Sequence, residues 1–157
     1  MTQHLATEIL TLARASGRTI TTAESCTGGM VSAAITDIAG SSDIFQRGYV
    51  TYSNAAKTEM LGVSPGTLAA YGAVSEEVVC QMARGARVAA DAHIAVAISG
   101  IAGPGGSEHK PEGRVCFGLA IGTEVTSETQ EFGAIGRAEV RQAATRRALE
   151  LVRAALS

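Results

Sequence analysis

At 157 residues, with 46% hydrophobic and 18% charged side chains, the chain has the profile of a single globular domain, long enough to bury roughly 70% of the surface its unfolded form exposes. A formal net charge of −2 without a Lys/Arg cluster excludes a nucleic-acid footprint, and no apolar run reaches the length of a membrane span. The three cysteines, Cys26, Cys80 and Cys116, make neither a CxxC pair nor an even-numbered disulfide framework, and the start of the chain lacks the basic and apolar blocks of a signal peptide, so the cytoplasm is the expected compartment.

Leu5, Ile9, Leu10, Leu12 and Ala13 outline a first amphipathic helix that Gly17 ends. Arg18 to Ala23 is β-prone, and after Gly28-Gly29 the residues Met30, Val31, Ala33, Ala34, Ile35 and Ile38 recur at helical spacing. A second β-prone run, Gly48 to Tyr52, leads into a short helix through Thr58, Met60 and Leu61, with Asn54 as its expected N-cap. Val63 to Tyr71 reads as a connecting segment. Ser75 then caps a long helix whose first turn carries Glu76 and Glu77, and which runs to about Ala92. His93 to Ile98 is a near-continuous apolar run, the pattern of a strand buried on both faces. Val115 to Ile121 and Glu124 to Glu131 form an expected hairpin turning at Gly122-Thr123, and a final helix spans about Arg137 to Leu156. With no repeat, low-complexity tract or linker, the order implies one α/β domain over 1–157 with a mixed sheet.

Three segments carry candidate chemistry. Thr22-Ala23-Glu24-Ser25-Cys26-Thr27-Gly28-Gly29 sets a hydroxyl and a thiol on a strand-to-helix turn, where helix N–H groups favour a developing anion. An N-cap serine is the plainer alternative for Ser25. With Asn54 as N-cap, Lys57 falls at N3, where the positive end of the helix dipole lowers the cost of losing its proton and, with burial, suits it to act as a general base. It is one of two lysines against eleven arginines. The loop Ser99 to Gly113 follows the buried strand, and Gly103-Pro104-Gly105-Gly106 can turn backbone N–H groups toward an anion. Neither a GK[ST] sequence nor GxGxxG is present, so ATP hydrolysis and NAD-dependent redox chemistry are unsupported. His4, His93 and His109 have no ligand-like spacing, so no metal is expected. Arg137 and Arg141, four apart on one helix face, are candidates to clamp a phosphate or to be simply solvated.

These residues carry a resemblance. The segment from Thr22 to Gly29, Tyr52-Ser53-Asn54 with Lys57, Gly72-Ala73-Val74-Ser75, Ser99-Gly100-Ile101-Ala102-Gly103-Pro104-Gly105-Gly106 and Gly113-Arg114-Val115 resemble the successive motifs of the CinA C-terminal domain family. Stand-alone members of that family are nicotinamide-nucleotide amidases. The resemblance implies a three-layer α/β/α fold, hydrolysis of nicotinamide mononucleotide (NMN) to nicotinic acid mononucleotide and ammonia, and a serine nucleophile supported by a lysine with a tyrosine nearby. By position these are Ser25, Lys57 and Tyr52. Substrate contacts fall on Thr27, Gly28, Gly29, Asn54, Ser99, Gly100, Gly103, Gly105 and Gly106, with Arg137 and Arg141 as further candidates. The family often has an acid before the first of these arginines, whereas this chain reads Gly133-Ala134-Ile135-Gly136-Arg137.

The expected mechanism is acyl transfer to Ser25 with Lys57 as base, Tyr52 orienting the lysine or relaying the proton, and N–H groups of Thr27 to Gly29 holding the oxyanion. It requires neither a metal nor an organic cofactor. The 5′-phosphate is expected on the Gly103 to Gly106 loop or on an arginine. Two rivals stand beside it: a non-catalytic nucleotide-binding or regulatory module, and an enzyme in which Cys26 is the nucleophile. The family and the short apolar helices point to a homodimer.

Overall fold

The computed structural model describes residues 2–157. Five strands form one sheet in the order β2-β1-β3-β4-β5: β1 (Ile20–Glu24), β2 (Tyr49–Val50), β3 (Ile94–Gly100), β4 (Arg114–Ile121) and β5 (Glu124–Glu131). β1 pairs parallel with both β2 and β3, whereas β3–β4 and β4–β5 are antiparallel, so the sheet is mixed as expected. Six helices flank it. Helices α1 (Thr2–Ser16), α2 (Met30–Thr36) and α6 (Arg137–Leu156) cover one face, and α5 (Glu76–Ala90), with α3 (Asn54–Leu61) and α4 (Pro65–Tyr71) against it, covers the other.

The two faces bury different kinds of side chain. Along β3, Ile94, Val96 and Ile98 join Ile9, Phe117, Val140 and Leu149 on the α1/α6 side. The alternate residues Ala95 and Ala97 face Val78, Val79 and Met82 of α5. Small residues there let α5 sit close: a Cβ on Gly118, which pairs with Ala97, would lie 2.3 Å from the Val79 carbonyl oxygen. No helix among the described residues is long and apolar enough to cross a membrane.

Three expectations are corrected. The segment before Tyr71 is not a bare connection, because Ser64 accepts a hydrogen bond from the Thr67 N–H and Pro65 opens α4. A Ser-Pro pair at Ncap and N1 is a helix start. The cap of α3 is Ser53, whose Oγ accepts from the Ala56 N–H at 3.0 Å, so Asn54 is the first helical residue and Lys57 stands at N4. Finally, β2 retains only Tyr49 and Val50 of the five-residue β-prone run.

The topology brings the carboxyl ends of the three mutually parallel strands to one edge of the sheet. Ser25 follows β1, Thr51 and Tyr52 follow β2, and Ser99 and Gly100 end β3. That edge is where ligands bind in open α/β sheets.

Candidate active site

Ser25 stands on a tight turn between β1 and α2. Its N–H donates to the Ile98 carbonyl of β3 at 2.9 Å, and its own carbonyl accepts from the Gly28 N–H at 3.0 Å. Gly28 takes φ +58°, in the left-handed region that glycine enters without steric cost. Opposite the turn, Lys57 reaches in from α3 and is 1% exposed. Its Nζ lies 3.1 Å from Ser25 Oγ, 3.0 Å from the Thr51 carbonyl oxygen and 3.3 Å from the Tyr52 carbonyl oxygen.

Burial pulls the Lys57 amine below its ordinary value, with Cys26 and Glu108 nearby acting weakly the other way. No carboxylate pairs with it among the described residues. At N4, further from the helix end than the sequence indicated, the lysine owes its shift to desolvation. A neutral amine has two N–H donors and one lone pair. In that form Lys57 could give both donors to the two carbonyls and keep its lone pair for the Ser25 hydroxyl, which also lies 3.5 Å from the Tyr52 carbonyl oxygen.

The neighbouring thiol behaves differently. Cys26 is buried, and burial pushes it up to about 11, with Arg141 and Lys57 only partly offsetting this. A thiol in that condition holds little thiolate at neutral pH.

Ser25 and Lys57 open into a cleft of about 410 Å³, within the usual range for small-molecule sites. Of the sequence candidates, Tyr52, Asn54, Ser99, Gly100, Gly103, Gly105, Gly106 and Arg137 also line it. The Tyr52 side chain is 60% exposed, and its hydroxyl accepts from Arg137 Nη2 at 2.9 Å; it is the Tyr52 backbone carbonyl, not the phenol, that touches Lys57. Arg137 also donates from Nη1 to the Gly103 carbonyl at 2.7 Å, and no carboxylate neutralises it among the described residues.

The glycine loop is less open to an anion than its composition suggests. The Gly105 N–H donates to the Glu112 carboxylate at 2.6 Å, and that carboxylate lies 2.8 Å from where a Cβ on Gly103 would stand. A Cβ on Gly106 would meet the Lys110 carbonyl oxygen at 2.4 Å. These glycines fold the loop tightly around an acid.

Thr27, Gly28, Gly29 and Arg141 do not line the cleft. Beneath the turn lies Glu24, fully buried. Its carboxylate accepts from Thr27 Oγ1 at 2.7 Å, from the N–H groups of Gly29, Val31 and Ser32 at 3.2, 2.9 and 3.0 Å, and from Ser32 Oγ at 2.7 Å. The start of α2 is therefore an anion site already filled by the protein's own side chain. Alternation along β1 holds: Thr22 and Glu24 reach Ser32 of α2, whereas Ala23 packs on the α5 side and Ser25 faces Lys57 of α3. Available signals were an acid directly before the turn and Thr27 and Ser32 after it. Arg141 donates to the backbone of the turn, from Nε to the Cys26 carbonyl at 3.0 Å and from Nη2 to the Thr27 carbonyl at 3.3 Å.

Among the described residues, no group of three or more His, Cys, Asp or Glu side chains is placed to hold a metal ion. The architecture is that of an α/β protein whose cleft at the carboxyl edge of the sheet holds a buried serine–lysine pair. The profile of the CinA C-terminal domain matches residues 2–156, and the chain belongs to that family. It is 58% identical over 132 residues to the nicotinamide-nucleotide amidohydrolase PncC of Enterobacter agglomerans, covering 82% of this chain and 80% of that protein. The PncC of Escherichia coli K12 is 56% identical over 138 residues, with 87% and 84% covered. Among solved structures, the competence/damage inducible protein CihA from Agrobacterium tumefaciens superposes with a TM-score of 0.94 at 46% identity, covering 99% of this chain and 94% of that one.

Proposed function

We propose that this chain hydrolyses the carboxamide of NMN, giving nicotinic acid mononucleotide and ammonia, with Ser25 as nucleophile and Lys57 as general base. The amidohydrolase activity follows the names of the PncC relatives. The observation that carries the residue assignment is the 3.1 Å approach of a desolvated Lys57 Nζ to Ser25 Oγ.

Neutral Lys57 takes the hydroxyl proton as Ser25 Oγ bonds to the carboxamide carbon. The resulting ammonium returns that proton to the amide nitrogen, ammonia departs, and an ester remains on Ser25. Water then attacks the ester carbon, passing a proton through Lys57 to Ser25 Oγ, and the carboxylate product leaves. The carbonyls of Thr51 and Tyr52 hold the amine in both protonation states, accepting two N–H bonds throughout.

The oxyanion donor differs from the one expected. Of the expected Thr27 to Gly29 donors, the Gly28 and Gly29 N–H groups are bonded within the turn, to Ser25 O and Glu24 Oε1, and Thr27 does not line the cleft. The Cys26 N–H follows the nucleophile, has no partner beyond its own sulfur among the described residues, and belongs to a residue lining the cleft. A trans peptide sets N–H opposite C=O, so the bond from Gly28 N–H to the Ser25 carbonyl turns the Cys26 N–H out of the turn. This amide is the oxyanion donor in our reading.

Arg137 is the phosphate ligand, since it is the arginine in the cleft and lacks a carboxylate partner, whereas the glycine loop presents Glu112. Ammonia release from NMN by the wild type, Ser25→Ala and Cys26→Ala tests the assignment. Activity lost with Ser25→Ala and retained in Cys26→Ala supports it; loss only with Cys26→Ala transfers the role to the thiol, and no release from any form leaves a binding module.

A further inference from the structure

The nucleophile turn is held from two sides by charged groups that do not enter the cleft. Glu24 buries a carboxylate with no cation against it among the described residues, its oxygens met by three N–H groups and two hydroxyls. An isolated carboxylate is costly to bury unless its lone pairs are satisfied. The Arg141 fork grips the Cys26 and Thr27 carbonyls, and its Nη2 passes 3.3 Å from the position of a Cβ on Gly28. Ser25 lies between, joined to Glu24 through the chain and to the Arg141 contacts through Cys26.

We infer that Glu24 and Arg141 are positioning residues, clamping the 25–29 turn so that Ser25 Oγ and the Cys26 N–H keep a fixed relation to Lys57 and to the substrate carbonyl. The inference rests on the serine reading above. The two groups hold different atoms of the turn: Glu24 accepts from the Thr27 hydroxyl and the Gly29 N–H, whereas Arg141 donates to the Cys26 and Thr27 carbonyls, so neither alone fixes the whole turn. It also removes Arg141 from the phosphate site, because both contacting nitrogens are spent on backbone oxygens. Reacting groups displaced by about 1 Å lose on the order of a hundredfold in rate.

The test is steady-state NMN hydrolysis by Arg141→Met, Arg141→Lys and Glu24→Gln, beside Ser25→Ala, with folding followed by circular dichroism and thermal melting. A positioning role lowers kcat by about a hundredfold in Arg141→Met and leaves KM within about twofold. Arg141→Lys recovers only part of this, because a single ammonium keeps the charge but cannot span two carbonyls as a planar fork. Glu24→Gln, which presents an amide N–H₂ where a carboxylate oxygen accepted, falls in kcat in the same manner; if it fails to fold, the two Arg141 variants decide. A folded Arg141→Met with wild-type kcat, or one that raises KM at constant kcat, overturns the inference. Wild-type ammonia release by Ser25→Ala would instead overturn the serine reading itself. An inactive Ser25→Ala beside an unimpaired Arg141→Met removes the clamp alone.

Discussion

In the proposed mechanism, replacing Lys57 by arginine puts a permanent cation where a neutral amine serves as the base. Lys57 Nζ is 3.1 Å from Ser25 Oγ and bonded to two carbonyls, so the neutral amine has its lone pair free for the hydroxyl. Arginine is never deprotonated in a protein and has no acceptor, and its larger head must enter a site where lysine is 1% exposed. Loss of a general base costs about 10²- to 10⁴-fold, or about 3–5 kcal/mol of barrier. Lys57→Arg should therefore fall into that range in kcat/KM for ammonia release, close to Lys57→Ala. Lys57→Met supplies a second readout. A lysine whose folded pKa is lowered binds its proton more weakly in the native state than in the unfolded one, so wild-type stability rises with pH from the depressed folded value up to the unfolded value near 10.4. The methionine variant lacks that slope, and the stability difference between the two proteins should change across this window in favour of the wild type as pH rises. Substantial activity in Lys57→Arg, or a stability difference independent of pH, would refute the reasoning.

The wild-type kcat/KM should rise with pH through a single ionisation well below about 10.4, since burial disfavours the ammonium; a profile still climbing at pH 10 would contradict a depressed Lys57. Arg137→Met should raise KM for NMN far more than for nicotinamide riboside, which lacks the phosphate; equal changes would move the phosphate elsewhere. Gly106→Val should lower the melting temperature and both activities together, because its side chain collides with the Lys110 carbonyl, and a selective rise in KM for NMN would return the loop to the phosphate site. Cys26→Ala should keep most of the activity, since the thiol is pushed up to about 11 and only its backbone N–H is used; near-complete loss with intact folding would favour the thiol.

The central strand, the hairpin and the long helices were legible because their signals are local or periodic: Ile94 to Ile98 is apolar throughout, and Arg137 to Leu156 agrees with the sequence boundaries. The pairing of Ser25 with Lys57 was reached through the resemblance and a dipole argument. The structure replaces the dipole by burial, because capping by Ser53 rather than Asn54 moves the lysine by one position. The role of Glu24 was hidden because alternation gives the face on which a strand residue lies but not the N–H groups of Gly29, Val31 and Ser32 that fold over it there. At Gly103 to Gly106 composition showed a loop able to turn N–H groups toward a ligand but not that Glu112, an acid several residues further along the chain, takes the Gly105 N–H. Arg141 shares a helix face with Arg137, yet one turn of helix separates a residue in the cleft from one bonded to the backbone of the Ser25 turn.

The most direct test of the account is the mass of the enzyme quenched in acid during turnover of NMN, followed by tryptic mapping of the peptide Thr19 to Arg47, which carries both Ser25 and Cys26. The account predicts a nicotinate-ribotide acyl group on Ser25, absent when Ser25→Ala is treated in the same way. An acyl group on Cys26, or continued turnover by Ser25→Ala, would contradict it.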